Sequence, residues 1–225
     1  MLGKMRAAAK PINPNAFFTT EFFSEPLVGL CDGFLTWGSK ELSLTSYVYG
    51  EYAVLFGHGR TSPIDGDFTR MDCAMVADEF LAGAALGWIM TQDPNPLSYM
   101  KELAPFRAKV VSYLRLPMVK PITGTQTDPF WTSLRKGDNG EAVVIATNAK
   151  HTGAKKPLTL DETYELDCHA AGLKPGKYRL KVITMDGEKD LGPQQVSGDA
   201  FKFQVKLEPF EAAVYILEPL AGKGK

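Results

Sequence analysis

At 225 residues, 44% hydrophobic and 23% charged, the chain has the make-up of an ordinary globular protein, which excludes disorder, collagen and coiled coil as descriptions of the whole. A formal net charge of −1, with Lys and Arg scattered rather than striped, offers no basic field to nucleic acid or anionic lipid. Three widely spaced cysteines, Cys31, Cys73 and Cys168, are too few for a disulfide framework or a cysteine metal site and read as small apolar residues.

The first ten residues are basic and short, with no apolar run of signal-peptide length, so the compartment stays unassigned. The longest apolar stretch, Phe80 to Met90, spans eleven residues against the roughly 20 of a membrane-crossing helix. After the turn-forming Pro11 to Asn15, the run Asn15 to Glu21 is β-branched and aromatic and reads as a strand with Glu21 at its C-terminal end. Ser24-Glu-Pro26 offers an N-cap with proline in the first turn, which predicts a short helix over Glu25 to Leu30. Asp32 to Trp37 is a near-continuous apolar strand of the kind buried on both faces of a parallel sheet. Tyr47 to Gly57 is a third apolar segment, either a strand or a strand running into a helix. A polar, glycine-rich connection follows from His58 to Asp67.

Apolar residues at helical spacing predict amphipathic helices over Asp72 to Met90 and Leu97 to Leu116. Asp93-Pro-Asn-Pro96 is expected to break the chain between them, and Pro117 and Pro121 to end the second and open a linker. From Trp131 the period changes to two. Glu141 to Thr147, Lys177 to Thr184, Phe201 to Leu207 and Ala213 to Leu217 read as strands separated by turn signals, with Lys202, Gln204 and Lys206 facing water. Such a series predicts an antiparallel β-sandwich.

The expected fold class is therefore α/β plus all-β: an incomplete C-terminal part of a (β/α)8 barrel over residues 1–120, then a C-terminal β-sandwich over 121–225. A barrel needs eight strand and helix units and typically about 250 residues, and only fourteen residues precede the first strand-like run.

Barrel enzymes place reacting groups at the C-terminal ends of strands, and this makes Glu21 the leading catalytic candidate. Cleavage of a glycosidic bond uses two carboxyl groups, one to protonate the leaving oxygen and one as nucleophile or base toward water. Glu25 is the weaker second candidate, because it also fits the first turn of the following helix, where the helix dipole favours negative charge. Trp37 closes the second strand and could offer its ring face to a sugar, with core packing as the alternative. Tyr49, Glu51 and Tyr52 occupy the third segment, where either tyrosine could reach a cleft. His58, in the loop that follows, is a substrate-loop candidate; it has no second His or Cys at ligand spacing. Asp32, at the start of its strand, suits a turn or cap. The small residues of Ala82 to Gly87 suit close packing. No phosphate-binding or serine-esterase motif is present, and neither cofactor nor metal is expected.

The segments Thr20-Glu-Phe-Phe-Ser-Glu-Pro26, Asp32-Gly-Phe-Leu-Thr-Trp37, Tyr49-Gly-Glu-Tyr52 through Phe56-Gly57, Phe80-Leu-Ala-Gly83 through Leu86-Gly-Trp88, and Glu102 to Arg107 resemble the C-terminal portion of bacterial glycoside-hydrolase-like proteins of the DUF6259 type. That resemblance implies a (β/α)8 barrel followed by a β-sandwich, action on O-glycosidic bonds, carbohydrate as the partner, and a strand-end acidic role for Glu21. The earlier strands, and any partner carboxylate on them, are absent from this numbering. On this reading the isolated chain is inactive and leaves apolar faces open to a missing N-terminal barrel segment or to self-association. The competing expectation is a non-catalytic carbohydrate-binding or interaction protein built on the β-sandwich, which would need aromatics exposed on one sheet face.

Overall fold

In the computed structural model, which describes residues 1–20, 23–36, 39–57, 59–60, 76–86, 89–90, 94–123, 130–148 and 159–220, parallel strands occupy the first part of the chain and antiparallel strands the second. Helix α1 (Leu2–Ala9) leads to β1 (Thr19–Thr20), a single 3-10 turn (Glu25–Leu27), β2 (Gly33–Thr36), α2 (Ser39–Tyr49) and β3 (Val54–Gly57). The three strands lie side by side in chain order, β1-β2-β3, all parallel, with Gly33 opposite Thr19 on one side and Val54 on the other. Every residue of β2 is buried, as its unbroken apolar run requires of a strand covered on both faces.

The arrangement continues beyond β3. Ala85 bridges Phe56 in parallel, its N–H donating to the Leu55 carbonyl at 2.8 Å, and β4 (Gly59–Arg60) pairs in parallel with β5 (Ile89–Met90). Helix α3 (residues 76–82) stands between β4 and β5 in the chain. Among the described residues these strands form an open arc and not a closed barrel.

Several expected elements have different bounds. Of the strand expected over Asn15 to Glu21, the described residues form only Thr19–Thr20, because Asn13 to Ala16 turns, the Ala16 N–H donating to the Asn13 carbonyl, and Glu21 lies outside them. The helix expected over Glu25 to Leu30 is the 3-10 turn alone, and Ser24 makes no side-chain cap. Within Tyr47 to Gly57, the first three residues finish α2 and only the last four form a strand. The reason is topological: β2 and β3 are parallel, and joining them requires a crossover that a helix supplies. The helix expected from Asp72 to Met90 ends at residue 82, since Gly83 adopts φ 75 and Ala85 has already joined the parallel arc. Helix α4 (Pro94–Leu114) begins where a break was expected, its first turn tolerating Pro94 and Pro96 because the N–H groups there have no helical partner.

The segment expected as a linker is a strand. β6 (Met118–Thr123) pairs with β7 (Trp131–Lys136) at the edge of a six-stranded sheet of order β11-β10-β13-β8-β7-β6, and an edge position tolerates Pro121. The other members are β8 (Ala142–Thr147), β10 (Gly176–Thr184), β11 (Glu188–Val196) and β13 (Ala212–Pro219), while β9 (Leu160–Asp167) and β12 (Ala200–Leu207) pair separately. All pairings in this part are antiparallel. β12 alternates strictly, with Lys202, Gln204 and Lys206 exposed as expected.

The six-stranded sheet is buried on both faces. Val144, Ala146, Tyr215 and Leu217 meet Phe201, Phe203, Val205 and Leu207 from the β9–β12 pair, whereas Val143, Ile145, Val214 and Ile216 meet Phe80, Leu103, Phe106 and Val110 from α3 and α4. Every residue of β8 is buried, and each fully buried Val or Ile there contributes roughly 1.5–3 kcal/mol. The sheet thus has strands on one side and helices on the other. A smaller cluster of Cys31, Phe34, Ala53, Leu55, Ala82 and Ala84 lies between the parallel strands and α3.

Candidate functional site

β1, β2 and β3 end at Thr20, Thr36 and Gly57, and their parallel pairing brings the three C-terminal ends to the same side of the arc. In the sequence the next residues are Glu21, Trp37 and His58. All three lie outside the described residues. Thr36 is buried, with its hydroxyl 3.5 Å from the Phe56 carbonyl.

The other two candidates, Glu25 and Tyr49, meet. Glu25 opens the 3-10 turn and Tyr49 closes α2, and the Tyr49 hydroxyl donates to the Glu25 carboxylate. The Phe23 ring centroid is 4.8 Å from that of Tyr49 and 5.2 Å from that of Phe34. The carboxylate beside it raises the Tyr49 hydroxyl above its ordinary value. Because α2 links two parallel strands it must run back against them, which puts its last residue at the N-terminal end of β3. Glu25 is exposed, and the pair ties the turn after β1 to the end of α2.

Asp32 does cap the start of β2. Its Oδ1 accepts a hydrogen bond from Arg6 Nη2 at 2.6 Å and its Oδ2 accepts from the Phe18 N–H at 2.9 Å, so α1, the approach to β1 and the approach to β2 are held together. The Arg6 hydrogen bond first, and then that of Phe18, hold its carboxyl below the ordinary carboxylate value. Cys31 and Cys168 are buried free thiols, and burial raises the latter. Cys73 lies outside the described residues. Among the described residues no group of three or more His, Cys, Asp and Glu could hold a metal ion, and no helix is long and apolar enough to cross a membrane.

One cleft was not foreseen. About 140 Å³ in volume, it is bordered by Ser46, Tyr47, Gly50 and Glu51 at the end of α2, by Ala82 at the end of α3, by Leu114 to Met118 after α4, and by Arg135 of β7. Arg135 is buried. Its Nη1 donates to the Leu116 carbonyl and its Nη2 to the Leu81 carbonyl, both at 2.8 Å, while Nε has no hydrogen-bond partner among the described residues. Burial lowers the guanidinium to about 10, which leaves it charged at neutral pH. The Leu81 carbonyl belongs to the last turn of α3, where helix ends carry partial negative charge, and the Leu116 carbonyl lies just past α4. The available sequence signal was a charged residue two places after Ser133 and four after Trp131, hence on the strand face that packs against helices.

No protein-family description matches the sequence, and no curated protein does. Solved structures do match in fold. A GH27 β-L-arabinopyranosidase from Geobacillus stearothermophilus superposes with a TM-score of 0.53 at 12% identity, over 100% of this chain and 55% of that one. A variant of that enzyme in complex with arabinose gives 0.52 at 12%, over 98% and 54%. A GH30 endoxylanase from Clostridium papyrosolvens C71 gives 0.49 at 11%, over 92% and 57%. The first two likenesses give the chain a glycoside-hydrolase-like fold, and it spans about half the length of the structures it matches.

Proposed function

We propose that the chain is the C-terminal part of a glycoside-hydrolase-like protein of the DUF6259 type, acting on O-glycosidic bonds once its parallel arc is completed. The observation that carries this reading is the parallel order β1-β2-β3: in the sequence, an acid, an indole and an imidazole directly follow three adjacent strand ends. Catalytic groups of parallel barrels sit at such ends. Glu21 then serves as acid/base or substrate-binding carboxylate, Trp37 stacks on a sugar ring, and His58 contacts the substrate from its loop. Residues 1–120 form the barrel part and 121–225 the supporting β-sandwich.

The arabinose complex of a structural neighbour supports carbohydrate as the ligand class. Glycoside cleavage needs a second carboxyl group, so the chain alone is inactive and its partner is a polypeptide that adds further strand and helix units. Leu44, Tyr52 and Val54, which are 59%, 67% and 41% exposed, supply apolar surface for that partner or for a second copy. The binding-module reading has less support, since Tyr178, Phe201, Phe203 and Tyr215 are all buried in the core.

The test is a Glu21→Gln substitution in the longest open reading frame that contains the chain, assayed on aryl glycosides. Loss of general acid–base catalysis lowers kcat by about 10²–10⁴-fold. Unchanged hydrolysis, or sugar binding carried by residues 130–220 alone, would overturn the reading.

A further inference from the structure

We infer that the outward face of α2 is an interface between two copies of this chain, related by a two-fold axis. The helix is patterned inside out. A helix at the surface of a globular protein turns its apolar stripe to the core and its polar side chains to water, and over residues 43–49, whose side chains are described, α2 does the reverse. Thr45 and Ser46 are buried. The Ser46 hydroxyl donates to the Ala82 carbonyl at the end of α3, and the Ser43 hydroxyl accepts from the Ile122 N–H of β6 at 3.1 Å. These bonds hold the polar side inward, and turning the helix over would leave the Ala82 and Ile122 groups unpaired. Leu44, Tyr47 and Val48 therefore face solvent, the last two 40% and 47% exposed, and Tyr52 extends the row past the helix end. Positions three and four apart share one side of a helix, so the four side chains make one apolar strip of the kind that marks a contact surface.

The occupant follows from the charges beside the strip. Glu51, just past α2, and Arg115, just past α4, border the same cleft as Tyr47. Both are exposed, and no hydrogen bond or ion pair engages either side chain among the described residues. One is acidic and the other basic. A two-fold axis passing between them sets Glu51 of each copy against Arg115 of the other, so a single apposition forms the same ion pair twice. A surface with that property is complementary to itself, as an isologous contact requires. The net charge of −1 adds almost no repulsion between copies. A strip of four side chains is small against the roughly 800 Å² per partner of a standard interface, and the expected dissociation constant is on the order of micromolar. This inference stands independently of the strand-end reading.

Analytical ultracentrifugation of the full chain, from submicromolar to submillimolar concentration, is expected to show a monomer–dimer equilibrium. Val48→Arg places a charge in the strip of both copies and is expected to raise the dissociation constant by about tenfold or more. An unchanged melting temperature checks that the variant folds, with Leu44→Lys as the second variant should Val48→Arg not. Glu51→Arg and Arg115→Glu each weaken the dimer as well, whereas an equimolar mixture of the two recovers it, because every acid then faces a base. Recovery in the mixture is a result that only a contact between copies produces. A chain that stays monomeric at every concentration would overturn the proposal, as would a mixture that fails to recover. So would association that Val48→Arg and Leu44→Lys leave intact, which would place the contact elsewhere, as at the open side of β1. A monomer throughout for the longest open reading frame that contains the chain would assign the strip to an added segment, and would overturn it too.

Discussion

Arg135 Nη2 donates to the carbonyl oxygen of Leu81 at 2.8 Å, across 54 residues of sequence. One strand of the antiparallel sheet thereby holds the last turn of a helix that belongs to the parallel arc. The same guanidinium holds the Leu116 carbonyl just past α4.

Replacing this residue leaves two carbonyls without donors and opens a void between sheet and helices. Arg135→Ala is expected to lower stability by about 3 kcal/mol, read as a lower urea midpoint at unchanged slope. Arg135→Lys retains the charge but presents a single point of donation where a fork spans two carbonyls, and it should recover less than half of the loss. Recovery to the parent midpoint by lysine would show that charge alone matters.

The Asp32 contact to Arg6 makes a pH prediction with a definite sign. The folded carboxyl lies below its ordinary value of 3.8, so the unfolded chain binds more protons in the interval between the folded and unfolded values, and stability rises with pH there. The contribution is complete above about pH 5 and is lost as pH falls through the folded value. Asp32→Asn removes it, and the variant's chemical-denaturation midpoint should lie about 1 kcal/mol lower at pH 7 and converge on the parent's toward pH 2. Parallel curves that never converge would assign the loss to packing.

Gly83 is a third place to test. It adopts φ 75, and a side-chain carbon there would collide with the Leu114 carbonyl oxygen. Gly83→Ala is expected to cost about 2 kcal/mol or more. Gly187, where an added carbon meets nothing within 4 Å and no positive φ is imposed, provides the contrast: Gly187→Ala should move the melting temperature little.

Legibility in the sequence tracked the strength of local patterning. β12 was readable because one face of Phe201 to Leu207 is apolar and the other polar, and β8 because it is apolar from Ala142 to Ala146. β9 was missed, since Leu160–Asp167 carries four acidic residues and is held by pairing with β12. β11 was hidden by Gly192-Pro193, which sits beside the register shift at Leu180 and Lys181. Helix α2 ends in Tyr47-Val48-Tyr49, residues that favour strands, and the crossover between parallel neighbours overrides that preference. The Glu25–Tyr49 contact joins residues 24 apart, and the Arg135 cleft joins three helix ends; neither has a local signature. Glu21, Trp37 and His58 were legible only as strand-end residue types, and they remain the substance of the functional proposal.

Among the described residues β1 is flanked by β2 alone. A strand added on its other side in the same direction cannot arrive by a tight hairpin; it must come with a crossover of a dozen or more residues, usually a helix. The second carboxyl group of the proposed function, if it stands on such a neighbour, therefore comes as part of a strand and helix unit, and no short peptide carrying a carboxylate could take its place.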